Sequence, residues 1–185
     1  MKLILEGPDN AGKTTLAQKL VNAQCSVHYR HAGGKPNGLR EETDCCINQI
    51  AQLNLEGVLL DRITPISQQV YNPDPGLQLT RNKYLAEIRF KNPVFIYCRP
   101  SNDRLMRTEA FTWREGESEE HKQKIIQNQH TFIERYDQIM ARIPHVAYDF
   151  EDPTSTVIFN QLVKAFRGDK AAEKWFTDLM DFRSI

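Results

Sequence analysis

The chain has 185 residues, in which 24 Lys and Arg balance 24 Asp and Glu. That length predicts a single α/β domain over 1–185 with no room for a second catalytic one, and the balanced charge excludes an overall field that would draw in nucleic acid or a membrane surface. No run of about 18 apolar residues exists to span a bilayer, and the cysteines, with Cys45 and Cys46 adjacent and no CxxC pair, do not read as a disulfide framework. The expectation is a soluble, cytoplasmic protein with reduced thiols.

Lys2 to Leu5 predicts a short buried strand, and Thr14 to Ala23 a helix with apolar Leu16, Ala17, Leu20 and Val21. Between them lies Gly7-Pro8-Asp9-Asn10-Ala11-Gly12-Lys13-Thr14, two glycines four residues apart followed by Lys and Thr, which is the P-loop pattern in its strand–loop–helix setting. Glycines permit backbone turns that other residues resist, so successive N–H groups converge on one anion at the positive end of the helix. The candidate nucleotide-binding residues are Gly7, Asn10, Ala11, Gly12, Lys13, Thr14 and Thr15. Lys13 is expected on the β and γ phosphates of ATP, and the Thr14 hydroxyl on Mg²⁺.

Ser26 to Arg30 alternates like a second strand, and the Gly- and Pro-rich 31–38 predicts a loop on the substrate side. From Glu41 to Leu55 the spacing predicts a helix whose apolar face is Ile47, Ile50, Ala51 and Leu55. Val58-Leu59-Leu60 then reads as a buried strand ending in Asp61-Arg62. In an open parallel sheet, ligands sit beyond the carboxyl ends of the strands, which puts this pair beside the P-loop. Asp61 is the candidate Mg²⁺ carboxylate and Arg62 the candidate clamp on an acceptor phosphate.

Three prolines between Thr64 and Gly76 predict an irregular segment with one short helix around Ser67 to Tyr71, shaping the acceptor pocket. Leu77 to Phe90 predicts a helix with Arg81 and Arg89 on its polar side, read as surface charges. Pro93 to Cys98 predicts the fourth strand. The helix after it, starting near Asp103, would put Arg104 and Arg107 on one face, with Arg114 beyond. Together 99–120 predicts an Arg-rich lid that places cations on the transferring phosphoryl group, with Glu109, Glu115 and Glu117 able to neutralise the arginines when it is open. Lys122 to Arg142 is the strongest apolar stripe, assigned packing and no chemistry. A fifth strand over 145–150, a helix opened by Asp152 and Pro153, and a last apolar face of Trp175, Phe176, Leu179 and Met180 complete the chain. That face closes the core or meets a second subunit.

These elements predict a P-loop NTPase three-layer sandwich: a five-stranded parallel sheet, helices on both faces and an Arg-rich lid. The set resembles the nucleoside monophosphate kinases, thymidylate kinase most of all. Glu6 to Thr15 resembles that family's P-loop, whose acidic residue, here Asp9, lies near the acceptor sugar and phosphate. Arg30 to Gly38 resembles its Arg-Glu-Pro-Gly-Gly-Thr-Pro segment, Asp61-Arg62 its Asp-Arg pair, and Arg99 to Arg107 its strand-end and lid arginines. His31-Ala32, Ile63 and Cys98-Arg99 depart from the family pattern. Compact kinases of this type also occur in bacteriophages.

The resemblance implies transfer of the ATP γ-phosphoryl group, with Mg²⁺, to a deoxynucleotide. The candidate catalytic residues are Lys13, Asp9, Arg62, Arg104, Arg107 and Arg114. The alternatives are a hydroxyl acceptor on a nucleoside or on DNA, for which Asp9 would take the proton, and a slowly hydrolysing nucleotide switch. The expected partner is a nucleotide or nucleoside, with DNA only under the hydroxyl reading, no membrane, and a homodimer as one assembly.

Overall fold

Apolar residues alternate along the strands because both faces of the sheet are covered. In the computed structural model Leu3 and Leu5, Leu59 and Ile96 point into one cluster, while Ile4, Leu60, Phe95 and Tyr97 point into the other. The strands are β1 (Lys2–Glu6), β2 (His28–His31), β3 (Val58–Asp61), β4 (Val94–Cys98) and β5 (Val146–Tyr148). They pair in parallel in the order β2-β3-β1-β4-β5, with Leu5 opposite both Asp61 and Ile96. The structure describes every residue except 24, 26, 32–35, 108, 110, 112, 114–117 and 182–185.

The first cluster packs against α1 (Lys13–Asn22), α7 (Thr154–Phe166) and α8 (Lys170–Asp181). Phe176 of α8 is fully buried there, so the last helix closes the core within one chain. The second packs against α3 (Thr64–Tyr71), α4 (Gln78–Phe90) and α6 (Glu119–Met140). The predicted five-stranded parallel sheet with helices on both faces is the observed architecture.

Four local expectations are corrected. First, α2 (Leu39–Gln52) turns Glu42, Cys46 and Gln49 inward and leaves Ile47 about half exposed, because buried polar side chains there find partners on other elements. Second, α3 starts at Thr64 with Pro65 in its first turn, where a missing N–H costs nothing, and is longer than the short helix expected. Third, Arg81 is buried, because Glu42 meets its guanidinium and the carbonyls of Gln68 and Asn72 accept from Nη1. Fourth, α5 (Asn102–Leu105) is one turn capped by Ser101 and ends before Arg107. Arg104 and Arg107 therefore share no helical face.

Candidate active site

The P-loop begins where β1 leaves the sheet. Gly7 has φ +146°, and a Cβ there would collide with the Cys98 carbonyl of the neighbouring strand; Gly12 has φ +78°, with the Phe150 ring where a Cβ would go. Neither position admits another residue without strain. Gly12 is the residue before α1, whose first turn carries Lys13, Thr14 and the exposed Thr15. Ala11 is fully buried beneath the loop, and Asn10 also takes a positive φ, 65°.

Lys13 Nζ donates to the carbonyls of Gly7 at 2.8 Å and Pro8 at 2.5 Å, so its ammonium lies over the loop that the glycines shape. Burial, and secondarily the charge of Arg62, pulls its pKa down to about 8. An ammonium stripped of water in this way gains most from an incoming anion.

Thr14 Oγ1 donates to Asp61 Oδ2 at 3.1 Å, which joins the P-loop helix to the end of β3. Tyr29 OH donates to the same oxygen at 3.1 Å, and His31 Nδ1 also lies 3.1 Å from it. The other carboxylate oxygen, Oδ1, is buried with no hydrogen-bond partner. Burial alone would raise the Asp61 carboxyl, but the His31 contact and the Lys13 charge outweigh it and hold the group ionised, below the usual carboxylate range. An ionised carboxylate with one uncommitted oxygen beside a hydroxyl is a donor set that suits a hard divalent cation.

Asp9, Arg62 and Tyr71 form a second cluster beside the P-loop. Arg62 Nη2 donates to Asp9 Oδ1 at 2.7 Å and to Tyr71 OH at 2.9 Å, and Tyr71 OH donates to Asp9 Oδ2 at 2.7 Å. The guanidinium also lies 5.1 Å from the centroid of the Tyr71 ring. Burial raises the Asp9 carboxyl, but Arg62 and Lys13 more than offset it and the group stays ionised. Arg62 holds φ +70°, a left-handed conformation that is uncommon for a residue with a side chain. Two bonds from β1 fix that turn: Arg62 N donates to Leu5 O at 2.9 Å, and Ile63 N donates to Glu6 Oε1 at 2.7 Å. Glu6 is fully buried, and its burial pushes the carboxyl up to about 8.

The arginine segment is tied to the P-loop by amides. Asn10 Nδ2 donates to Arg104 O at 3.1 Å and to Arg107 O at 3.4 Å, while the buried Gln129 of α6 donates to Asp9 O at 3.0 Å and Leu105 O at 3.3 Å. The Arg104 guanidinium sits 5.4 Å from the Phe150 ring centroid, over the ring that abuts Gly12, and pairs at 3.6 Å with Glu151, which is not among the acidic residues expected to neutralise it. Arg99 is held by Asp137 of α6 at 2.8 and 2.9 Å, away from this cluster. Arg114, Glu115, Gly116 and Glu117 lie outside the described residues.

Lys13, Thr14, Asp61, Asp9 and Arg62 thus converge at the carboxyl ends of β1 and β3, while the Arg104 backbone is tied to the same loop through Asn10. Sequence reasoning missed Tyr71, Tyr29 and Gln129, and it assigned α6 no chemistry. Gln129 carried a signal: it is a polar residue at a stripe position, four after Ile125 and three before Phe132.

The sheet order and the glycine-shaped loop between β1 and α1 give the fold a P-loop NTPase-like form. Among solved structures the chain is similar to the YorR protein from Bacillus subtilis, solved in complex with phosphorylated GDP, with a TM-score of 0.62 at 17% identity over 90% of this chain and 96% of that one. It is also similar to deoxyadenosine kinase from M. mycoides with bound dATP, with a TM-score of 0.49 at 20% identity over 88% of this chain and 99% of that one. No protein-family model matches the chain, and no curated protein matches it in sequence. The likeness to YorR establishes the fold and extends over nearly the whole of both chains.

Proposed function

We propose that the protein transfers the γ-phosphoryl group of ATP to a deoxynucleotide-type acceptor, as the thymidylate kinase-like P-loop enzymes do. The observation that carries this reading is the Thr14–Asp61 contact at 3.1 Å beside a desolvated Lys13. It joins the three groups that phosphate and metal binding need on one loop and one strand end. YorR, solved in complex with phosphorylated GDP, supports a nucleotide as ligand.

Thr14 and Asp61 would hold Mg²⁺, which would supply charge neutralisation at the donor phosphates. Lys13 would leave the carbonyls of Gly7 and Pro8 for those phosphates, and the N–H groups from Asn10 to Thr15 would cradle them. Arg104 would neutralise charge that develops on the transferring group, with Arg107 and Arg114 as further candidates for that role. Arg62 would hold the acceptor. A phosphate acceptor is already ionised and needs no base, so the acceleration comes from positioning and charge.

A hydroxyl acceptor on a nucleoside is the second reading, favoured by Asp9: its carboxylate is ionised and sits at the P-loop, where it would accept the proton. The test is calorimetric titration with ATP, with and without Mg²⁺, in the wild type and in Asp61→Asn. Mg²⁺ should tighten ATP binding in the wild type and do so far less in the variant. Equal Mg²⁺ dependence in both would remove Asp61 from the site.

A further inference from the structure

Strand β2 lies at the sheet edge, and its residues alternate between exposed His28 and Arg30 and half-buried Tyr29 and His31. Pairing with β3 sets Tyr29 opposite Leu59 and His31 opposite Asp61, so both half-buried side chains share the face of the sheet on which α1 packs. There they converge on one atom. Tyr29 OH and His31 Nδ1 each stand 3.1 Å from Asp61 Oδ2, the oxygen that Thr14 Oγ1 reaches at 3.1 Å from α1. Asp61 is ionised, and an ionised carboxylate only accepts hydrogen bonds, so His31 Nδ1 carries a proton toward it and the Tyr29 hydroxyl donates.

Three donors from two elements fix the plane of a fully buried carboxylate and commit one of its oxygens. Oδ1, which has no hydrogen-bond partner among the described residues, is left for a cation. Position 31 is also where the chain departs from the Arg-Glu-Pro run that Arg30 to Gly38 otherwise resembles. A glutamate there would set a second negative charge against Asp61, whereas the imidazole sets a donor against it.

We infer that Tyr29 and His31 are positioning residues for the Mg²⁺ site: without touching the ion, they hold Asp61 in the orientation that binds it, so the edge strand sets the affinity of the site for a hard divalent cation. The inference rests on the assignment of Thr14 and Asp61 to Mg²⁺ in the proposed function. Removing groups that orient a metal ligand typically lowers metal affinity roughly 10- to 100-fold.

The experiment measures ATP affinity by calorimetry, in EDTA and across a Mg²⁺ series, for the wild type, Tyr29→Phe, His31→Leu, His31→Asn and Asp61→Asn. Tyr29→Phe removes one hydroxyl, and His31→Asn returns an amide N–H close to the place of Nδ1. The Mg²⁺ concentration that gives half of the gain in ATP affinity should rise at least about tenfold in Tyr29→Phe and in His31→Leu, and return toward the wild-type value in His31→Asn. ATP affinity in EDTA should be the same in all of them, which a loss of fold would not allow. A Mg²⁺ requirement that neither Tyr29→Phe nor His31→Leu raises would overturn the inference. So would weaker ATP binding in EDTA that accounts for the whole effect, since the pair would then serve the fold alone. If Asp61→Asn abolished the gain while the β2 variants kept it intact, the inference would fail and the metal assignment would stand. If Mg²⁺ tightened ATP binding equally in the wild type and Asp61→Asn, the metal assignment would fail and take this inference with it.

Discussion

Arg81 and Glu42 meet fork to fork, Nε to Oε1 at 2.6 Å and Nη2 to Oε2 at 2.9 Å, in a pair that joins α4 to α2 almost out of reach of water. Arg81 also donates to the carbonyls of Gln68 and Asn72, at the end of α3 that carries Tyr71. Removing one partner strands the other charge. Arg81→Ala should therefore lower stability by roughly 3–5 kcal/mol, whereas the double change Arg81→Leu with Glu42→Leu should cost less than that single one. Urea unfolding midpoints of the three proteins check both statements.

Lys13→Met should separate activity from stability. Transfer should fall on the order of 10²- to 10³-fold, because the variant lacks the charge proposed to meet phosphate. The unliganded variant should melt at or above the wild-type temperature near neutral pH, since the wild type shields this ammonium from water and its pKa falls from 10.5 to about 8. The sign follows from proton uptake: between those values the unfolded chain binds the proton and the folded one does not, so folding with Lys13 is penalised below that range and recovers above it. A variant that melted well below the wild type at pH 7 would assign Lys13 a packing role instead.

Glu6 gives the opposite slope. Its folded pKa stands near 8 against an ordinary 4.5, so the folded state holds a proton that the unfolded state has lost. Its contribution to stability is present below about pH 4.5 and is lost as pH rises through 8. Glu6→Gln keeps the oxygen that accepts from Ile63 N, and it should flatten the pH dependence of the melting temperature over that window. An identical slope in the variant would place the titration elsewhere.

Arg104→Ala should lower the turnover number more than it raises the Michaelis constant for ATP, because a cation beside the P-loop acts most on charge that develops in the transition state. The geometry behind this is the stack of Gly12, the Phe150 ring and the Arg104 guanidinium. A change confined to the Michaelis constant would make Arg104 a binder of the ground-state donor.

The fold was legible where each residue's surroundings are set by its own stretch of chain. Leu3 and Leu5 face one side of the sheet and Ile4 the other because both faces are covered, and Gly7 and Gly12 announce the P-loop because a Cβ at either would meet Cys98 or Phe150. Asp61 and Arg62 were placed beside the loop by the parallel-sheet rule alone. The errors fall where a side chain's partner is distant in sequence. Arg81 read as a surface charge because the partners that bury it, Glu42, Gln68 and Asn72, lie 39, 13 and 9 residues away. Gln129 was passed over within an apolar stripe, since its partners are backbone oxygens on Asp9 and Leu105, distant in sequence. Arg107 was put on a helix with Arg104 because spacing alone does not show that α5 stops after one turn.

The most direct test of the central claim is to incubate the wild-type protein with ATP labelled on the γ-phosphate, Mg²⁺ and a panel of deoxynucleotides, and to ask where the label goes. Label should appear in a deoxynucleotide acceptor, dependent on Mg²⁺ and lost in Lys13→Met. Label found only in inorganic phosphate, at a rate indifferent to every acceptor, would contradict it and leave a nucleotide hydrolase in place of a kinase.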